Sequence, residues 1–191
     1  MEHIICSQLL SVDLEATCWK GYPPPGQRQE IIQIGLCTID LTDLTISKPQ
    51  SIYILPDHST VSSFCTELTG ITQDVLYGAG VPFLQACQWV QEAVDGKCPP
   101  WITWGRWDRQ QYLADLKSRG GFMPFSEEHL NAKSIISSML KARQGLGLNK
   151  ALRRLGLDFE GQAHDAGVDA YNAARAWIKS VELFRTALGV C

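Results

Sequence analysis

The sequence has no uninterrupted apolar stretch near the roughly 18 residues that a membrane-spanning helix needs, which excludes the usual helical membrane proteins. Its short apolar start, IICSQLL, has neither a basic flank nor a small-residue cleavage site, so no secretory leader is expected and the chain is read as soluble and cytoplasmic. A C-x-x-C pair is also missing. The seven cysteines, Cys6, Cys18, Cys37, Cys65, Cys87, Cys98 and Cys191, are odd in number and scattered. That pattern excludes a zinc ribbon and a disulfide framework and suits reduced, mostly buried thiols. Nor is there an excess of positive charge, since 17 Lys and Arg face 20 Asp and Glu for a net charge of −3. This balance argues against broad electrostatic coating of a duplex, while a local grip on a few phosphates, assisted by metal ions, stays open. No internal repeat, low-complexity block or long charge run interrupts the chain.

What is present suits one compact domain spanning residues 1–191, because 45% hydrophobic content over 191 residues can bury a sizeable core. QLLSVD (Gln8 to Asp13), IIQIGLCTID (Ile31 to Asp40) and SIYILP from Ser51 are rich in β-branched and aliphatic residues and predict three successive strands joined by short turns. KGYPPPGQRQ, between the first two, is an irregular loop. From Pro82 the period changes: PFLQACQWVQEAVDG has a proline start, helical apolar spacing and a glycine stop, and the short run WITWG follows as a strand. Further helices are predicted at Trp107 to Arg119, Ala132 to Arg143, Leu148 to Leu155 and Asp165 to Leu188. Strands first, then helices alternating with strands, give an α/β fold with a mixed sheet and helices packed on it.

The chemistry lies in the acids. Asp13 and Glu15 are two apart at the end of the first strand, so both side chains point to one face of the sheet. Alone, such a pair is more often a solvated polar face than a metal site. Asp108 follows WITWGRW at a strand-to-helix junction, where sites are often carried, although a first-turn aspartate favoured by the helix dipole would look the same. His164 and Asp169 frame HDAGVD at the head of the last helix, with His164 just before the helix and Asp169 on its inward side. A buried carboxylate is costly unless it is paired. Asp169 therefore requires either an arginine such as Arg175 or a metal ion shared with Asp13 and Glu15.

Taken together, V-D-L-E-A-T-C-W, the W-D at Asp108 and the H-x-x-x-x-D closing on Asp169 resemble the DEDDh 3′-5′ exonucleases of the DnaQ-like, RNase H-like superfamily. Three segments narrow the likeness: E-A-T-C-W (Glu15 to Trp19), E-I-I-Q-I-G (Glu30 to Gly35) and S-F-C-T-E-L-T-G-I-T (Ser63 to Thr72). They resemble the Eri-1-like branch, which contains histone-mRNA 3′ exonucleases and bacterial relatives. Leu14 departs from the pattern, since relatives often carry Phe between the two acids. No separate nucleic-acid-binding domain is expected ahead of the nuclease, so the stem-loop specificity of the larger relatives is not carried over, and an accessory protein could supply specificity.

The resemblance implies an RNase H-like five-stranded mixed sheet and two Mg²⁺ or Mn²⁺ ions. By that implication Asp13, Glu15 and Asp169 hold the ion that activates water, and Asp13 and Asp108 hold the one near the departing 3′ oxygen. His164 takes the proton of the attacking water, a task an imidazole performs near neutral pH. Leu14, Ala16, Thr17, Phe64, Leu68 and Trp107 would bind the terminal nucleotide of a single strand, RNA favoured over DNA. Taken singly, Phe64 and Trp107 could equally be ordinary core. Lys20, Arg28, Arg106 and Arg109 are candidates to guide the strand, although most surface cations are merely solvated. Two rival readings stand beside this one: a nuclease-like binding module without turnover, and an RNase H-like endonuclease.

Overall fold

A computed structural model describes residues 7–189. Its order is β1 (Gln8–Ala16), β2 (Ile31–Asp40), β3 (Gln50–Tyr53), α1 (Ser63–Thr69), α2 (Gln73–Ala79), α3 (Phe83–Ala93), β4 (Trp101–Thr103), α4 (Trp107–Arg119), β5 (His129–Asn131), α5 (Ala132–Met139), α6 (Leu148–Arg154) and α7 (Ala166–Leu188). The five strands form one mixed sheet in the order β3-β2-β1-β4-β5. β2 is antiparallel to both its neighbours, while β1, β4 and β5 run parallel. This is the α/β architecture expected from the sequence.

The period-2 alternation of β1 sorts its side chains between two helical layers. Leu10, Val12 and Leu14 pack with Phe83, Ala86, Val90 and Tyr112 from α3 and α4. Leu9 belongs to the opposite layer with Ile136, Leu152, Ala174 and Ile178 from α5, α6 and α7. Ser11 confirms which helix covers that second face, because its hydroxyl donates to the Ala170 carbonyl of α7 at 2.8 Å. Asp13 and Glu15 follow Leu9 and Ser11 in the alternation and so share the face on which α7 lies.

Several elements differ from the sequence reading. β1 continues past Asp13 to Ala16, and β3 stops at Tyr53. The strands of the opening meander are not joined by short turns: residues 17–30 and 41–49 connect them. The first connection is tied down by buried polar groups. Glu30 is fully buried and accepts from the His58 and Ser59 amides at 3.0 and 2.8 Å. α5 ends at Met139 rather than Arg143, since Leu140 caps it and Lys141 adopts a left-handed φ of 52°. α1, α2 and β5 were not anticipated. Each of the two short helices starts on a hydroxyl cap, Ser62 accepting from Cys65 N and Thr72 from Val75 N. Cys37, Cys65 and Cys87 are buried and free, while Cys6 and Cys191 lie outside the described residues. No described helix is long and apolar enough to cross a membrane.

Candidate active site

The site forms where β1, the head of α4 and the head of α7 meet. Two residues of β2 decide how closely α7 can approach. Gly35 pairs with Asp13 across the ladder and Gln33 pairs with Glu15. A Cβ on Gly35 would stand 2.0 Å from the Ala166 carbonyl carbon and 2.1 Å from the Gly167 nitrogen, so only glycine lets the helix start there. Gln33 then fixes that start: its Oε1 accepts from Ala166 N at 3.0 Å and its Nε2 donates to Asp165 Oδ2 at 3.3 Å. Asp165 is the N-cap of α7, its other oxygen accepting from Val168 N at 3.0 Å. The ladder also shifts register between Glu15 and Ala16, a bulge that re-aims the strand next to the acids.

With α7 seated this way, Asp169 comes down beside β1. Its Oδ2 accepts from the His164 backbone amide at 2.9 Å, closing the H-x-x-x-x-D segment on itself. His164 has a left-handed φ of 64°, a conformation uncommon for a residue with a Cβ. Its half-exposed ring reaches back so that Nδ1 is 3.9 Å from Glu15 Oε1. Ligand atoms of Glu15, His164 and Asp169 all lie within 4.8 Å of one another. Asp108 arrives from the other side, in the first turn of α4. It is not the N-cap, a position held by Arg106; instead its Oδ1 accepts from Leu14 N at 3.2 Å, between the two acids of β1. The alternative partner for Asp169 does not operate, because Arg175 pairs with Glu160 at 2.7 Å.

The acids perturb one another. Burial, followed by repulsion from Asp108, Asp169, Glu15 and Asp165, pushes the Asp13 carboxyl well above the usual range. Burial and then Asp169, Asp108 and Asp165 push Glu15 up to about 8. Asp108 is raised to about 6, mainly by burial, against hydrogen bonds from its own amide and from Leu14 that lower it. Asp169 is raised by burial and held back by His164. Among the described residues no lysine or arginine forms an ion pair with any of these four carboxylates.

The residues expected to hold a terminal nucleotide fall into two groups. Leu14 is core, 3% exposed, and faces the α3 and α4 layer. Thr17 is fully buried, and its hydroxyl donates to Arg28 O at 3.1 Å and accepts from Glu30 N at 3.0 Å. Neither side chain is therefore free for a ligand, and their amides are taken as well, Leu14 N by Asp108 and Thr17 N by Glu30 O. Ala16 is 5% exposed. Phe64 and Leu68 stand four apart on α1, away from its buried residues Cys65 and Thr69. α1 is pinned to the end of β1 by Ser62 Oγ on Cys18 O at 2.6 Å and by Cys65 Sγ on Ala16 O at 3.5 Å. Leu68 is 37% exposed and Trp107 41%, so neither is ordinary core. Arg106, Arg109 and Lys20 are exposed, and Arg28 lies 3.5 Å from Glu30.

Reading the sequence did not single out Gln33, Gly35 or Asp165 as parts of the site. The E-I-I-Q-I-G run contained the signal, since a polar residue and a glycine alternate on one face of an otherwise apolar strand.

An acid cluster at the carboxyl ends of β1 and β4, with α7 laid across the sheet, defines a nuclease of the RNase H-like fold class. Residues 10–177 match the "Exonuclease" family of RNase T-like proteins. The 3′-5′ exonuclease Snipper of Drosophila melanogaster is 32% identical over 198 residues, covering 92% of this chain and 69% of that protein. Human 3′-5′ exoribonuclease 1 is 29% identical over 180 residues, covering 90% of this chain and 51% of its own length. The solved nuclease domain of 3′hExo, a DEDDh family member bound to rAMP, superimposes with a TM-score of 0.82 at 28% identity, covering 94% of each chain. The chain belongs to this exonuclease family, among its 3′-5′ members.

Proposed function

We propose that the chain removes nucleoside 5′-monophosphates one at a time from the 3′ end of single-stranded RNA, with two Mg²⁺ or Mn²⁺ ions held by its acids. The observation that carries this reading is the convergence of Asp13, Glu15, Asp108 and Asp169 without a neutralising lysine or arginine among the described residues. The donor set fits hard divalent cations, which take carboxylate oxygen and water. Asp13, Glu15 and Asp169 would hold one ion, Asp13 and Asp108 the other. A bound pair supplies positive charge to the attacking and leaving oxygens of a phosphodiester.

The chain's own groups do the rest. His164 stands at the mouth with its ring in no hydrogen bond among the described residues, and a ring nitrogen takes the proton of the attacking water. Asp169 holds the His164 backbone, which keeps the imidazole beside Glu15. The exposed apolar surfaces of Leu68 and Trp107, with Phe64, offer the terminal base a face to pack on, over Ala16 and the backbones of Leu14 and Thr17. The exoribonuclease relative and the rAMP-bound domain favour RNA over DNA.

The test uses single-stranded RNA and DNA of one sequence, labelled at the 5′ end, incubated with the protein in Mg²⁺ or Mn²⁺. A ladder shortening from the 3′ end, faster on RNA and abolished by EDTA or Asp13→Ala, is expected. Internal fragments would replace this reading with an endonuclease, and no cleavage of either strand would replace it with a binding module.

A further inference from the structure

The acid cluster addresses the 3′ end of a strand, whereas an exonuclease also has to hold what precedes that end. Six of the 17 Lys and Arg residues, Lys133, Lys141, Arg143, Lys150, Arg153 and Arg154, fall between positions 133 and 154, and no Asp or Glu lies between Glu128 and Asp158. In a chain of net charge −3 this is a segregated positive segment. The segment joining α5 to α6, together with Lys150 and Arg154 of α6, lines a groove of ≈ 580 Å³. Its charged lining is entirely basic: Lys141, Arg143, Lys150 and Arg154. All four are exposed, and none forms an ion pair among the described residues. Lys150 and Arg154 stand four apart on one short helix, where like charges repel, a cost set against the favourable place of Arg154 in the last turn of the helix.

The groove is tied to the end of the sheet that carries the acids. Trp104 follows β4 directly and lies four residues before Asp108; its Nε1 donates to Leu146 O at 3.1 Å. Lys133, at the head of α5, lies against Gly145, where an added Cβ would stand 2.9 Å from the lysine Cε. β4 and β5 are parallel, so the heads of α4 and α5 sit at the same end of the sheet. Arg106 and Arg109, flanking Asp108, line a second hollow of ≈ 360 Å³ at that end of the sheet, together with Glu127, His129 and Asn131.

We propose that the α5–α6 groove binds the phosphodiester backbone of the substrate strand upstream of its 3′ end. The identity of that strand rests on the exonuclease reading above. The lining contains no aromatic side chain on which a base could stack, so the groove grips phosphates without reading sequence. Its contribution is therefore electrostatic and sensitive to salt.

The test compares the full chain with Lys150→Glu/Arg154→Glu. Fluorescence anisotropy in EDTA measures binding of a labelled single-stranded RNA of about 16 nucleotides, long enough to reach beyond the active site, over a range of salt. Hydrolysis of the p-nitrophenyl ester of thymidine 5′-monophosphate in Mn²⁺ measures the acid cluster alone, since that ester has no upstream phosphate. The double variant should lose about tenfold or more in RNA affinity, and its log-log salt slope should fall by about 1.4 for two lost phosphate contacts. Lys150→Arg/Arg154→Lys should keep both, and all three proteins should hydrolyse the ester equally and melt together. Unchanged RNA affinity and slope in a reversal variant that still hydrolyses the ester would overturn the proposal and leave the groove as a solvated face or the seat of an acidic protein. Failure of the wild type on ester and RNA alike would remove the exonuclease reading, while a lost affinity in the reversal variant would still support backbone binding.

Discussion

A carboxylate surrounded by other carboxylates in a partly buried site can lower its energy by taking up a proton or a cation. Glu15, at about 8, and Asp108, at about 6, both sit above their ordinary values, so the metal-free folded state binds protons that the unfolded chain has already released. Groups raised in this way contribute stability at low pH and lose it as pH rises through the folded values. The metal-free protein is therefore expected to melt at progressively lower temperature between about pH 5 and pH 8, and saturating Mg²⁺ or Mn²⁺ should raise the melting temperature more at pH 8 than at pH 5. A melting temperature independent of pH in EDTA would contradict this. Asp13→Asn removes one of the repelling charges, so it should stabilise the metal-free protein by about 1 kcal/mol while abolishing both hydrolysis and the metal-induced rise. His164 belongs to a different class. His164→Ala should retain the metal-induced rise and lower kcat by a factor of about 10² to 10⁴, the usual worth of a positioned proton acceptor.

At the scale of elements, the site depends on how near α7 comes to β2. Gly35→Ala would drive a methyl into the first turn of α7. Overpacking of this kind costs about 1–3 kcal/mol, and the displaced helix carries Asp169, so thermal stability and metal affinity should fall together. Gln33→Ala leaves the Ala166 amide without its partner, a loss of about 1 kcal/mol, and should weaken metal binding without changing the acids themselves. A Gly35→Ala protein with wild-type stability and metal affinity would show that α7 is not positioned by this contact. Asp13 and Glu15 could be placed on one face from strand alternation alone, and Asp108 from the strand-to-helix junction. Gln33 and Gly35 could not be assigned, because their roles come from an element more than 130 residues away in the chain. β5 carries no periodic signal, because its three residues, His129–Asn131, are too few to establish a period. Thr17 read as a ligand contact, yet its hydroxyl is consumed by the loop that returns through Arg28 and Glu30.

For the whole molecule, a packed interior on both faces of the sheet contrasts with a charged end. Apolar layers fill both of its faces, and the acids gather at one end, where β1, β4 and the head of α7 converge. The order of the acids along the chain was legible, as was the α/β class, because both follow from local periodicity and motif. The distribution of surface charge was not, since a net charge of −3 conceals an acid-free basic segment that becomes a groove only once α5 and α6 are folded. Stripping divalent ions should therefore leave the fold and the basic groove intact while ending hydrolysis, which circular dichroism and the labelled-strand assay measured on one sample would register. The most direct measurement is the anomalous difference map of a crystal grown with Mn²⁺ and a nucleoside 5′-monophosphate. Manganese peaks bounded by Asp13, Glu15, Asp108 and Asp169 are predicted, with the phosphate beside them and His164 facing it. An ion-free cluster at saturating Mn²⁺, its carboxylates paired with a lysine or arginine, would contradict the account.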